Sequence, residues 1–264
     1  RFNENFNCLG TFIKVNDFNI FLGGDVTCSS SDIKEVKEGE IIALFKPYTW
    51  TSFQIVNKVR YHLSKHYKIK RFKVGHAGTL DPLATGVLVI CTGKATKRIE
   101  ELQNHTKEYE ADLMLGATTA SYDKEHPVNA TFPYEHITEE MFNEVLKQFT
   151  GTIAQRPPLY SACKVDGERA YNLARQGSEM ELAPKQITIE KIELLSFNPP
   201  QATIRVVCGK GTYIRSLARD IGEALGSGAY LTRLTRTRVG DFKIEECIKP
   251  EDFPAWFKEK LTEV

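Results

Sequence analysis

Residues 75–88 read GHAGTLDPLATGVL and hold one acidic side chain, Asp81, among glycines and small residues. Residues 41–80, which precede it, contain no other Asp or Glu. Pro82 restricts Asp81 to an extended or turn conformation, and the glycines allow a close approach of the backbone. A carboxylate among cations stays ionised. The stretch therefore predicts a pocket with Asp81 as nucleophile or base, and the alternative is an Asp that caps a turn.

The charge is segregated along the chain, although the net charge is only +1. Counting Lys and Arg against Asp and Glu gives +10 for residues 41–98, −8 for 99–150 and +5 for 201–243. If the two basic blocks face the same side, they form a positive surface that holds a polyanion such as RNA through its phosphates. An ordinary solvated surface is the alternative interpretation.

Length and composition indicate a soluble globular protein. The chain has 264 residues, 41% of them hydrophobic, which is enough for one large domain or two small ones. Apolar runs such as VLVI at 87–90 are too short to span a bilayer, and no signal segment opens the chain, so we expect it in the cytoplasm. The six cysteines are scattered without a CxxC pair, which predicts reduced thiols and neither a zinc site nor a disulfide framework.

Apolar periodicity predicts helices and strands in mixed order. A helix is expected from Thr51, with Thr51 and Gln54 in a capping box. Two more helices are expected at 136–149 and in TYIRSLARDIGEALG. Strands are expected in VLVICTGKAT, KEYEADLML, QITIEKIELLSF and ATIRVVC, and a hairpin in TFIKV and NIFL near the N-terminus. This order favours a mixed sheet over a simple βαβ alternation.

Three further signals are weak. GKAT and GKGT lack the first glycine of a phosphate loop. His62 and His66 stand four residues apart on the predicted helix, but a third metal ligand is missing. In KHYKIKRFK, cations interleave with Tyr67 and Phe72, which suits either RNA binding with base stacking or a solvated strand or helix end.

Five blocks of the sequence, in order, resemble the TruB-type tRNA pseudouridine synthases, and they cover about residues 38–248. The blocks are KPYTWTSFQIVNKVR, GHAGTLDPLATGVLVICTGKATK, KEYEADLMLGATTASYD, RPPLYSACKVDGERAYNLARQG and GKGTYIRSLARDIGEALGSGAYLTRLTRTRVGDF.

The resemblance implies an isomerase that converts uridine to pseudouridine in the T-loop of tRNA, at the position usually numbered 55. The base is cut from C1′, turned and rejoined through C5, which requires no cofactor and no metal. The target base must first leave its stack. The implied partner is the T-stem loop of tRNA. No membrane and no protein partner are implied, and we expect a monomer.

The resemblance also assigns the site residues. Asp81 is the catalytic carboxylate, acting on the sugar or the base or assisting glycal formation. Arg215 is its ion-pair partner, and Tyr109 is the third catalytic residue, which stacks on the flipped base and can serve in proton transfer. From the residues alone, Arg215 reads as a surface arginine and Tyr109 as a core tyrosine.

Four more residues are assigned to substrate binding by the resemblance. His76 would fill the space vacated by the flipped nucleotide, and Tyr213 and Leu234 would line the uridine pocket. Lys46 either contacts the RNA or stabilises the loop that holds the active site. Surface exposure for His76 and ordinary packing for Tyr213 and Leu234 are the alternatives.

The implied fold is α+β, the pseudouridine synthase fold, with a mixed and largely antiparallel sheet in two halves, flanking helices and a central catalytic cleft. The expected organisation is an N-terminal appendage of unknown role at 1–35, a catalytic domain at 36–250 and a short tail at 251–264. Residues 156–185 resemble a thumb-like RNA-binding segment. A complete C-terminal PUA domain is not expected.

The first block departs from the family pattern at two positions. Phe45 stands where a polar residue is common, and Thr49 where a glycine is common, so the loop is expected to differ in conformation. Near the final block, Tyr230 replaces a common histidine.

Two other functions remain open at this point. An RNA-folding protein would keep the basic surface without turnover, and a synthase could act on a different RNA. A glycosidase is disfavoured because it needs two carboxylates, and the sequence offers one good candidate.

Overall fold

The computed structural model describes residues 10–15, 18–23, 39–161, 164–165, 168–169 and 182–262, and it describes side chains within 39–161 and 182–260. The chain divides into two compact units. The first comprises Arg1–Pro82, Gly86–Gln103 and Phe242–Val264, and the second comprises Leu83–Thr85 and Asn104–Asp241.

The helices are α1 Ser52–Tyr67, α2 Ile99–Gln103, α3 Glu139–Gln148, α4 Ile214–Ala224 and α5 Phe253–Thr262, with 3-10 turns at Gly93–Arg98 and Ile244–Glu246. The strands are β1 Gly10–Val15, β2 Phe18–Gly23, β3 Ile41–Lys46, β4 Val74–His76, β5 Ala84–Thr92, β6 Lys107–Leu115, β7 Ala117–Thr119, β8 Val128–Thr131, β9 Gly151–Gln155, β10 Lys164–Val165, β11 Glu168–Arg169, β12 Lys185–Asn198, β13 Gln201–Cys208, β14 Ala229–Val239 and β15 Phe242–Lys243.

The N-terminal hairpin predicted from the sequence is confirmed. Strands β1 and β2 pair antiparallel, with Gly10 opposite Gly23. The rest of the appendage at 1–35 lies outside the described residues. In the thumb-like segment, β10 and β11 form a second short hairpin. Most of the rest of this segment also lies outside the described residues.

Helix α1 begins as predicted. The Gln54 N–H donates to Thr51 Oγ1 at 3.1 Å, and the Thr51 N–H donates to Gln54 Oε1 at 2.7 Å, which closes the capping box. The helix ends at Lys68, which has the left-handed φ of 53°. Both ends therefore follow from local side-chain and backbone chemistry.

The core of the first unit lies between α1, α5 and strands β3 and β5, which pair antiparallel. Phe253, the first residue of α5, is fully buried in this core, so the segment given as a tail from the sequence contributes to it. Tyr67 and Phe72 also lie in this core and stack on each other with centroids 5.6 Å apart. Their rings therefore serve packing, and the base-stacking interpretation of KHYKIKRFK is wrong for these two residues.

In the second unit, β6 lies between β14 and β13, followed by β12 and β9, and each of these neighbouring pairs is antiparallel. Alternate residues of β6 are buried, as its sequence predicts. Helix α3 begins at Glu139, three residues later than the start expected at 136, and the side chain of its N-cap Thr138 accepts from the Met141 N–H. The expected α+β class with a largely antiparallel sheet is confirmed.

None of the helices in the described part of the chain has the length and the apolar character needed to cross a membrane.

Candidate active site

Asp81 lies in the loop between β4 and β5 and is half-buried. The backbone is held on both sides of it. Ser52 Oγ accepts from the Leu80 N–H and donates to the Leu80 carbonyl, both at 2.9 Å. The Pro82 carbonyl accepts from the Thr49 N–H at 2.9 Å. The carboxylate is therefore carried by a loop whose position is fixed before any substrate binds, which is what a catalytic group requires.

Lys46 is fully buried beneath this loop. Its ammonium group donates to the carbonyls of Pro47 at 2.8 Å, Trp50 at 2.6 Å and Pro82 at 3.2 Å. An ammonium group has three N–H donors, and these three carbonyls can use all of them. The geometry favours loop stabilisation over RNA contact for Lys46.

Thr49 adopts the left-handed conformation, with φ 68°. This is the position where the family commonly has a glycine, and glycine adopts that conformation without strain. The loop therefore keeps a glycine-like backbone in spite of the substitution, and the β-branched residue carries the strain. The different loop conformation expected from this departure stays a prediction.

His76 ends β4, pairs with Ile90 of β5 and is half-buried. The Ala77 N–H, next in the chain, donates to the Val89 carbonyl at 2.8 Å. The structure thus places His76 and Asp81 at the two ends of one short segment of the first unit.

Arg215 is buried on α4 in the second unit, with 5% of its surface exposed. Its guanidinium donates to the Ser121 carbonyl at 3.2 Å and to the Tyr160 carbonyl at 2.9 Å, and its Nε lies 3.7 Å from Asp123 Oδ2. The surface position that the residues alone suggest is therefore wrong. The pair with Asp81, which joins residues of different units, stays a prediction.

Asp123 is a candidate site residue that the sequence does not single out. It is buried, and its Oδ1 accepts from Ser121 Oγ at 2.6 Å and from the Glu125 N–H at 2.9 Å. Tyr122, between Ser121 and Asp123, has the left-handed φ of 61°. Backbone strain of this kind persists where surrounding contacts fix the chain, often at functional sites. The sequence feature that could have indicated Asp123 is SYD, residues 121–123, at the end of the third block that resembles the family.

Tyr213 precedes α4 and is held by Gln155. The Gln155 side chain donates to the Tyr213 carbonyl at 3.1 Å and accepts from the Tyr213 N–H at 2.9 Å. Because Gln155 is itself buried, these two bonds fix the backbone immediately before Arg215.

Tyr109 and Leu234 lie on the neighbouring strands β6 and β14. Tyr109 pairs with Arg236, and Leu234 pairs with Ala111. Tyr109 is 9% exposed and Arg236 is 1% exposed. The sequence analysis does not single out Arg236.

A buried lysine adds to the positive charge of these strands. Burial, together with the smaller effect of the charge of Arg236, lowers the pKa of Lys107 to about 8. Its ammonium group donates to the His105 carbonyl at 2.6 Å. Within the described residues, no cluster of three or more His, Cys, Asp or Glu side chains is placed to hold a metal ion.

Comparison of the sequence with known families gives two matches. Residues 64–214 match the N-terminal domain of the TruB family pseudouridylate synthases, and residues 215–264 match the tRNA pseudouridylate synthase B C-terminal domain. A tRNA pseudouridine synthase B from Bacteroides fragilis is 61% identical over 228 residues, which are 86% of this chain and 98% of the relative.

Solved structures give the same fold. A chain of a Cbf5-Nop10-Gar1 complex matches 85% of this chain with a TM-score of 0.64 and 32% identity. A chain of an H/ACA RNP bound to a substrate RNA containing 2′-deoxyuridine matches 88% with a TM-score of 0.62 and 29% identity. This chain spans 56% and 57% of those two chains.

Proposed function

Because the chain belongs to the TruB family of pseudouridylate synthases, we propose that it converts uridine to pseudouridine in the T-loop of tRNA, at position 55. The chain is an isomerase by its family. The tRNA substrate is supported by the relative from Bacteroides fragilis, which is named a tRNA pseudouridine synthase B. The observation that carries the proposal is the fixed Asp81 loop, because this fixation suits a group that acts on a flipped nucleotide.

In the proposed reaction, Asp81 acts on the flipped uridine while the bond between N1 and C1′ breaks. The freed base turns, a bond forms between C5 and C1′, the proton on C5 is transferred to solvent or to a side chain, and N1 takes up a proton in its place. The atoms of the nucleotide balance without a donor or an electron carrier. The reaction therefore requires orientation and charge stabilisation from the chain.

Arg215 would pair with Asp81 and hold it in place, and Asp123 would hold Arg215 in position. Support comes from the burial of Arg215 and from its contacts with Ser121, Tyr160 and Asp123, which leave its side chain little freedom.

Tyr109 would stack on the flipped base, with Leu234 and Tyr213 lining the uridine pocket and His76 filling the vacated space. The fixed backbone at Tyr213 and the pairing of the strands that carry Tyr109 and Leu234 support these roles. Lys46 would act through the loop and not through the RNA. The proposal includes a monomer in the cytoplasm that needs no cofactor and takes the T-stem loop as its partner.

The first test is pseudouridine formation in an unmodified tRNA transcript by the wild-type chain and Asp81→Asn. We expect conversion of one T-loop uridine by the wild type, and a rate at least about 10³-fold lower with the variant, because the amide cannot act as nucleophile or base. Chemical modification and primer extension locate the product.

The matched control is Asp241→Asn, which removes an exposed carboxylate and should convert the transcript at the wild-type rate. Equal activity of Asp81→Asn and the wild type would refute the assignment of Asp81. Tight binding without conversion by the wild type would favour an RNA-folding protein or a different RNA substrate.

A further inference from the structure

The exposed face of α1 carries a regular stripe of aromatic and polar side chains. Phe53, Asn57, Tyr61 and Lys65 follow at intervals of four residues, so they lie along one side of the helix, and all four are exposed. Phe53 is 61% and Tyr61 59% exposed, more than any other large hydrophobic residue whose side chain is described. Other residues of α1 fill the core of the unit, so this stripe is not needed for packing.

Each exposed ring of the stripe has a cation beside it. The Arg60 guanidinium carbon lies 6.0 Å from the centroid of the Phe53 ring, and Lys65 Nζ lies 6.0 Å from the centroid of the Tyr61 ring. Arg60 is held in place because it donates to Asn57 Oδ1 at 2.6 Å and to the Val74 carbonyl at 3.0 Å. A ring with an adjacent cation can stack a base and neutralise the phosphate next to it.

The charged side chains in the sequence around the stripe are all positive. Residues 41–80, which include all of α1, contain no Asp or Glu. Their cations are Lys46, Lys58, Arg60, Lys65, Lys68, Lys70, Arg71 and Lys73. Charge of one sign over such a length is complementary to a polyanion.

The stripe begins at the catalytic loop. Ser52, the first residue of α1, makes both of its side-chain hydrogen bonds to Leu80, which immediately precedes Asp81. From Phe53 to Lys65 the stripe extends about 18 Å, at 1.5 Å per residue. An RNA whose target nucleotide reaches Asp81 can therefore continue along this face.

We propose that the α1 stripe, together with the neighbouring Arg60, is a second RNA-binding surface for the same substrate. Unpaired bases stack on the two rings, and the two cations hold neighbouring phosphates. The stripe contributes affinity and leaves the chemical step to the active site. This inference rests on the proposed function, because it takes the tRNA as the occupant.

The test compares tRNA binding by the wild type, by the double variant Phe53→Ala/Tyr61→Ala and by Lys65→Gln. We expect the double variant to bind tRNA at least about tenfold more weakly, because each stacked base is lost with its ring. For Lys65→Gln we expect the slope of log K against log salt to fall in magnitude by about 0.8, the contribution of one phosphate.

Phe132→Ala and Lys147→Gln remove an exposed ring and an exposed cation from the second unit, and they should bind tRNA as the wild type does. Melting temperatures check that the variants are folded. At saturating enzyme, the single-turnover rate of pseudouridine formation should equal that of the wild type for all of them, because the stripe does not touch the reacting atoms.

If both stripe variants bind tRNA with wild-type affinity, the inference is overturned. This holds also if the variants lose self-association or binding to acidic lipid vesicles, because the stripe would then serve a different partner. A lowered single-turnover rate at saturation would also overturn it. If the wild type converts no uridine, the proposed function fails, whereas a loss of tRNA affinity confined to the stripe variants still supports this surface.

Discussion

At the scale of single residues, Thr49 gives the clearest prediction. It is exposed and holds a left-handed φ of 68°, a conformation that costs a non-glycine residue about 1–3 kcal/mol. Thr49→Gly removes this strain and loses up to about 1 kcal/mol through the greater freedom of glycine in the unfolded chain. We expect the free energy of unfolding to rise by about 1 kcal/mol, measured by urea denaturation at an unchanged m-value.

The control for Thr49 is Thr49→Ala, which keeps a Cβ and therefore most of the strain. A gain from alanine equal to the gain from glycine, or a loss from glycine, would contradict the strain argument.

Asp123 gives the second prediction at this scale. Asp123→Asn keeps the shape of the side chain but removes the negative charge that pairs with the buried Arg215 within the second unit. We expect the free energy of unfolding to fall by roughly 3 kcal/mol, because breaking a buried pair leaves an uncompensated charge. Pseudouridine formation should fall with it while tRNA binding persists, since Asp123 acts through Arg215.

Asp112→Asn is the matched control, since it breaks the more exposed pair between Asp112 and Arg233 in the same unit. Water screens such a pair, so the expected loss is about 1 kcal/mol or less. Equal losses from the two variants would show that burial of the Arg215 pair carries no extra cost.

At the scale of elements, strand β6 begins with a buried lysine that links stability to pH. Folding lowers the pKa of Lys107 from 10.5 to about 8, mainly through burial. Between these values the unfolded chain holds the proton and the folded chain does not, so this group makes the folded state more stable as pH rises. Burial raises the pKa of Cys91 and of Cys208 from 9.0 to about 11, which has the opposite effect above pH 9.

We therefore expect Lys107→Met to flatten the pH dependence of the free energy of unfolding between about pH 8 and 9. The two thiols change this slope mainly above pH 9, so they do not obscure the effect of the lysine. Denaturant titrations at several pH values measure the slope. Lys258→Met, which removes an exposed lysine of the first unit, should leave the slope unchanged. An unchanged slope in Lys107→Met would show that this lysine does not lose its proton in the folded chain between about pH 8 and 9.

The elements themselves were largely predictable from the sequence. The capping box of α1 and the alternation of β6 involve neighbours only three or two residues apart, so local sequence specifies them. The contribution of helix α5 to the core was not predicted, because its burial depends on residues far away in the chain. Phe253 packs in the core of α1 and β3, which no local pattern around residues 251–264 reveals.

At the scale of the whole molecule, the chain builds its first unit from three separate segments, and its second unit from two. The +10 block at 41–98 falls almost entirely in the first unit, and the +5 block at 201–243 almost entirely in the second. The expectation that the two blocks face the same side stays a prediction, as does the pair between Asp81 and Arg215.

The sequence by itself determined the family, the order and type of most elements and the candidate Asp81 loop, because these depend on residue identity and on local spacing. Only the tertiary structure decided which charged side chains are buried. Lys46 and Arg215 read as a substrate contact or a surface residue from the sequence, Arg236 received no assignment, and all three lie in the interior. Burial of a cation is possible only where acceptors such as the Pro82 carbonyl or the Asp123 carboxylate meet it. Folding brings such acceptors together from distant parts of the chain.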